Sequence, residues 1–421
     1  MRTLKLFYLL ILCTSIPSMA EPSVNVSGFG ALGIVVNDSD QFGYRSDFSK
    51  PEVVTADDID IKQTSKLGVQ IDFIASPTVD AVFQAIYRDQ HDVSVDNLVN
   101  LAFVRYSPNA DWSFRLGRTA YDLFLLTEYR DIDFALPWAH VPSEIYAMIP
   151  HRFIDGADIT HSRRWGNMTL SGKIFAGESE YGVAAYDTDD VVDLNLDNII
   201  GLALDAQTID WDLALNHTRV KFDSSLISPL SNGLLLLNQQ VPMASMLWPT
   251  ITAVAQGLEI NNSEGRYTSI GGQYRFDTVT LMSELAHTES DNLVVDNIRS
   301  GYFSAIYHAG NHNWFATIAA SRAGKFHFGM VNEAALSQIP GAAEALANAR
   351  FFLNFYCVNQ TTLSLGWRWD FAENVSLKMQ WDHTKIVEGG SSLRHSPVIG
   401  AHSNAPRGHV NTFFSNVSVA F

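Results

Sequence analysis

The chain has 421 residues and a formal net charge of −17; 47% of its residues are hydrophobic and only 17% are charged. Soluble domains carry about 25% charged residues, so this surface is short of charge, and its acidic balance argues against nucleic-acid binding. Past the N-terminus no apolar run is long enough for a membrane helix, which leaves a soluble multidomain protein or a transmembrane β-barrel.

Residues 1–20 read as a cleaved signal peptide. Arg2 and Lys5 open it, Leu6 to Leu12 is apolar, and Ser18-Met19-Ala20 is a small-x-small cleavage site. Its loss removes two basic residues and takes the formal charge to −19. Cys13 leaves with it, so Cys357 stands alone and no intrachain disulfide can form. A long exported chain without disulfides suits a bacterium.

Next comes Gly28-Phe29-Gly30-Ala31-Leu32-Gly33, which matches a dinucleotide-binding glycine pattern. The required helix does not follow. Ile34 to Asp38 reads as a strand running into a turn, so these glycines are read as relief of crowding in a bent first strand.

From there the chain alternates with period 2, the strand period. Leu67, Val69, Ile71 and Phe73 alternate with Lys66, Gly68, Gln70 and Asp72. Val375, Leu377, Met379 and Trp381 alternate with Ser376, Lys378, Gln380 and Asp382. The predicted strands are 24–36, 64–75, 79–88, 98–107, 111–118, 153–161, 168–176, 198–206, 210–220, 266–276, 278–288, 298–308, 313–322, 360–370, 374–385 and 410–421, sixteen in all. Their connections alternate short and long. The short ones, such as Ser76-Pro77-Thr78 and Pro108-Asn109-Ala110, are turn residues. An even strand count with that polarity predicts an all-β fold, a transmembrane antiparallel barrel with short periplasmic turns and long extracellular loops. Tyr87, Tyr106, Trp112, Trp211, Tyr274, Phe276, Trp314, Trp369 and Trp381 lie near strand ends, as aromatic girdles would.

The last strand runs to Phe421, with Phe413, Val417 and Val419 on the same face. A C-terminal Phe closing such a strand looks like the assembly signal of outer-membrane proteins. With the leader and the turn–loop order, the whole chain after residue 20 resembles the sixteen-stranded Gram-negative porins. The resemblance implies an outer-membrane location, contact with membrane lipid and lipopolysaccharide, a homotrimer, and a third long loop that folds inward.

That third loop is 119–152. Leu123 to Leu126, Phe134 and Trp138 are too apolar for a solvated loop, and three prolines stiffen its second half. An inward constriction is the reading adopted; an outward lid or an arm latching a neighbouring subunit are the alternatives. The loop carries Asp122, Glu128, Asp131, Asp133 and Glu144, against Arg130 and Arg152. With apolar faces outward, Lys66, Arg88, Arg105 and Arg115 form a basic wall opposite, giving a transverse field that orients polar solutes.

The loop at 221–265 is also apolar, and is read as a lumen plug, a cover for a trimer partner, or a hidden hairpin that would make eighteen strands. The loop at 323–359 predicts helices near 332–339 and 340–350. The histidines, among them His140, His151, His161, His395, His402 and His409, show no zinc spacing. Asp187-Thr188-Asp189-Asp190 lacks the order of a calcium loop and is read as a solvated rim. No nucleophile elbow appears, and no metal or other cofactor is expected. The expectation is a passive channel for small hydrophilic solutes and ions, not an enzyme. The alternatives are a sugar- or anion-specific porin of 16–18 strands, a barrel enzyme, or an adhesive or structural barrel.

Overall fold

A computed structural model of the chain describes residues 21–47, 50, 52–90, 94–184, 191–295, 297–388, 393–395 and 407–421. The predicted leader, the Asp187–Asp190 run and His402 lie outside the described residues. Sixteen long strands build the wall. They are β1 (Ser23–Asn37), β2 (Lys66–Ser76), β3 (Val79–Arg88), β4 (Val99–Asn109), β5 (Trp112–Ala120), β6 (Phe153–Trp165), β7 (Met168–Ala184) and β8 (Val191–Gln207). The second half is β9 (Trp211–Ser224), β10 (Ile260–Arg275), β11 (Val279–Ser290), β12 (Ile298–Ala309), β13 (His312–Ala323), β14 (Asn359–Ala372), β15 (Val375–Glu388) and β16 (Gly408–Ala420).

Each strand pairs antiparallel with its neighbours, and β1 pairs with both β16 and β2, so the sheet closes. Closure leaves no edge. The seam ends at Phe421, whose N–H donates to the Gly28 carbonyl at 2.9 Å while Gly28 N–H donates back at 2.7 Å. The Phe421 ring covers the space that a side chain at Gly28 would need.

Period-2 alternation sets the two faces. Leu67, Val69, Ile71 and Phe73 are exposed on the outside, whereas Lys66, Gln70 and Asp72 point inward. Aromatic rings stack near the short-turn ends of neighbouring strands, as Trp112 does on Phe114 and His161.

Two loop readings change. The loop expected at 177–197 is mostly strand, because β7 and β8 stay paired out to Ala184 and Val191 across a bulge beside Asn198. Beyond the lipid both faces of a strand can be polar, so alternation of apolar and polar residues no longer marks it. The apolar loop at 221–265 is helical, not a hairpin. It holds α1 (Ser228–Gln240), α2 (Pro242–Leu247) and α3 (Ile251–Gly257), and the wall stays at sixteen strands. Pro229 and Pro242 sit in the first turns of α1 and α2, where proline's fixed φ suits a helix and its missing N–H costs nothing. The loop at 323–359 carries the expected helices, one turn at Glu333–Leu336 and α4 (Ala342–Leu353).

Glycines 117, 156 and 177 lie in register across β5, β6 and β7, where the third loop leaves the wall. Gly117 has φ +127°, and a methyl on Gly156 would sit 2.0 Å from the Ala176 carbonyl oxygen. Gly156→Ala should therefore destabilise the barrel by about 1–3 kcal/mol through forced backbone shifts. Gly172→Ala, whose added methyl meets its nearest neighbour at 3.4 Å, is the control. Denaturation midpoints of the two variants check this; equal midpoints would show that the wall tolerates a side chain at this corner.

Candidate functional site

After β5 the chain turns into the barrel and reaches the opposite wall. Every anchor on that wall is an inward-facing residue. Ser269 of β10 donates to the Leu123 carbonyl at 2.7 Å. Glu284 of β11 accepts from Leu125 N–H at 3.0 Å and from the Tyr146 hydroxyl at 2.5 Å. Trp138 Nε1 donates to Thr317 of β13 at 3.0 Å. Arg368 of β14 donates to the Phe134 and Leu136 carbonyls at 2.7 and 2.9 Å. Lys378 of β15 donates to the Asp133 and Trp138 carbonyls. Gln380 accepts from Ala139 N–H and His140 N–H, and Asn416 of β16 donates to the Ala139 carbonyl. A loop inside a barrel has few backbone partners of its own, so wall side chains satisfy its amides and carbonyls.

The apolar residues of the loop also find partners. Leu123, Phe124, Leu126, Trp138, Ile145 and Tyr146 share one buried cluster with α1, α2, α3 and α4. Each such side chain contributes roughly 1.5–3 kcal/mol on burial, and several together offset the entropy of ordering the loop.

The charges are laid out by register. Lys66 and Arg88 stand directly opposite on β2 and β3. Like charges in that position repel. Asp131 lies between them, 3.9 Å from Lys66 and 3.7 Å from Arg88, and also takes Arg152 at 2.9 Å. Asp133 is 3.2 Å from Lys66. Burial alone would raise the Asp131 carboxyl, but Arg152, Arg88, Lys66 and Arg130 override it and hold it well below the usual carboxylate range.

A second row crosses β3 to β6. Arg105 and Arg115 face one another, and each is flanked by a carboxylate: Asp80 at 2.9 Å from Arg105, and Asp158 at 2.8 Å from Arg115. These two arginines line the interior and pair with the wall, not with the loop. Asp122 and Glu128 pair with Lys173 of β7, at 2.8 and 3.7 Å. Glu144 instead accepts from Gln360 and Thr362 on the wall. Lys173, Arg368, Lys378, Gln380 and Glu284 were not singled out from sequence. Lys378 and Gln380 lie on the polar face of an alternating strand, which gave their direction but not their partners.

Solved structures match this arrangement at the level of the fold. An anion-selective porin from Comamonas acidovorans superposes with a TM-score of 0.54 at 13% identity, covering 95% of this chain and 100% of that one. OmpF of Salmonella typhi superposes with a TM-score of 0.52 at 10% identity, covering 94% of this chain and 97% of that one. The chain has the fold of the sixteen-stranded porins. No family model and no curated relative matches it.

In this barrel two histidines sit where the loop seats, His151 buried and His140 partly so. His140 stacks on Phe414 at 5.3 Å. Burial first, then Lys66 and Arg394, push its imidazole down to about 3, against Asp47. His151 is pushed down to about 4 by burial and Arg130, against the Leu194 carbonyl it faces. Both histidines and Asp131 hold fewer protons in the folded loop than in an unfolded chain. Their contribution to seating is complete above about pH 6.5, the unperturbed histidine value. It falls as pH drops through that value towards the folded ones. Denaturation midpoints measured from pH 7.5 to 4 should decline over this window, and His140→Phe, which keeps the stack, should flatten the decline. Midpoints constant with pH would rule out a titrating seat.

Proposed function

We propose that the protein is an outer-membrane porin, a passive diffusion channel for small hydrophilic solutes and ions, narrowed by residues 119–152. One observation carries the reading: within a closed barrel whose outer face is apolar, that loop crosses the interior and is tied to the opposite wall. The cleaved leader over residues 1–20, the homotrimer and contact with lipid and lipopolysaccharide belong to the same proposal. They rest on the sequence pattern and the porin resemblance.

On the short-turn side of the loop lies a space of about 440 Å³ lined by Arg105, Arg115, Asp122, Glu128, Lys173 and Asp205. Charges of both signs border it. A polar solute with a dipole can align in such a field while keeping hydrogen bonds, whereas an apolar solute of the same size gains nothing for the water it displaces. No step of this mechanism breaks a covalent bond, so the reading is of a channel and not an enzyme.

In planar bilayers the protein should give steady conductance steps without added ligand. Saturable block by a single solute would favour the sugar- or anion-specific alternative, and a folded barrel that never conducts would reject both. Replacing Asp131 and Asp133 by Asn leaves Lys66, Arg88 and Arg152 less neutralised. The reversal potential under a salt gradient should then move towards anion preference. An unchanged potential would place the selective charges elsewhere.

A further inference from the structure

The long-loop side of the barrel differs from the wet side. Above the in-folded loop is a cavity of about 210 Å³. Tyr121 and Leu123 line it from the loop, Phe222 and Tyr267 from β9 and β10, and Phe351 and Phe352 from α4. A barrel that only passes hydrophilic solutes has no use for an aromatic chamber in its outer half, where polar side chains and water belong.

The polar groups around the cavity narrow its occupant. Arg266 already faces Glu264 at 2.9 Å and Glu289 at 4.0 Å. Arg45 has Asp47 as a charge partner, and its guanidinium lies 5.7 Å from the Phe355 ring centre. Each cation here is thus neutralised, and an added anion would lose its water without gaining a free partner. The wall also holds neutral hydrogen-bonding groups, among them the Thr218 hydroxyl, on a side chain only 1% exposed, and the Tyr267 hydroxyl. A dry apolar cavity near 150 Å³ takes up benzene. This one has room for a ring and one small substituent, with aromatic walls to meet the ring's faces and edges.

We infer that this cavity binds a small neutral aromatic molecule bearing a hydroxyl group, a solute of the phenol class. The inference stands apart from the channel reading, since a barrel that fails to conduct still has the cavity. The test uses the full folded protein in lipid nanodiscs, with 4-fluorophenol as probe and ¹⁹F NMR line broadening as readout. Val295→Trp fills the cavity from the loop after β11. Thr218→Val removes a hydroxyl and keeps the shape.

Binding should be saturable in the unaltered protein and absent in Val295→Trp. In Thr218→Val it should be weaker by about threefold or more, the loss of one hydrogen bond. Under the same conditions 4-fluorobenzoate should bind at least about tenfold more weakly, for want of a free cation. Four results would overturn the proposal: broadening no greater than with empty nanodiscs, saturable binding that survives in a folded Val295→Trp, undiminished binding in Thr218→Val, or binding of benzoate as tight as that of phenol. If Val295→Trp does not fold, the Thr218→Val and benzoate comparisons still decide. Conductance measured on the same preparations tells failure of this site from failure of the channel.

Discussion

Backbone amides and carbonyls at the level of lipid have no water to turn to, so each must be paired within the protein. In this chain that requirement is met by closing sixteen strands on themselves, with β1 held between β16 and β2. Closure then fixes the rest. It puts one face of every strand outward, where Leu67, Val69, Ile71 and Phe73 stand exposed, and gathers the other faces around a common interior. Hairpin register, in turn, places like charges opposite each other, Lys66 against Arg88 and Arg105 against Arg115.

Those like-charged pairs are resolved in two ways. The Arg105–Arg115 pair is flanked by Asp80 and Asp158 on the neighbouring strands, so the wall neutralises itself. Among the described residues the Lys66–Arg88 pair has no such flank on the wall, and it takes Asp131 and Asp133 from the in-folded loop. The loop in turn depends on the wall. Arg368 and Lys378 hold its carbonyls from one side while Lys66 and Arg88 hold its carboxylates from the other. A pair of this kind is costly to break from either end, because whichever group remains is left charged in a poorly hydrated place.

The interior is therefore not uniform. On the short-turn side Arg115, Asp122, Lys173 and Asp205 border an open polar space. On the long-loop side the helical loops pack on Leu123, Phe124 and Trp138 and leave an aromatic cavity. A single loop forms the floor of one compartment and the roof of the other.

The wall was legible in the sequence. Period-2 alternation is a local property, so Val375 to Asp382 declares both its strand and its two faces without reference to any partner, and Pro77, Asn109 and Asn167 mark short turns in the same local way. The composition of 119–152 likewise announced a loop that packs. What local pattern does not carry is which distant residue answers which. Lys173 reads as one more polar residue of β7 until the fold sets it 2.8 Å from Asp122. Glu284 reads as a lumen carboxylate until Leu125 and Tyr146 donate to it. The apolar loop at 221–265 is ambiguous for the same reason, since Leu234 and Trp248 need a surface to cover, and only α4 and the in-folded loop supply one. Sequence alone determined the barrel, its handed-out faces and its rim of turns, because those follow from neighbours along the chain. Tertiary structure alone decided the pairing of charges, the helical form of the 221–265 loop and the aromatic cavity beside it, because each depends on contacts between residues far apart in sequence.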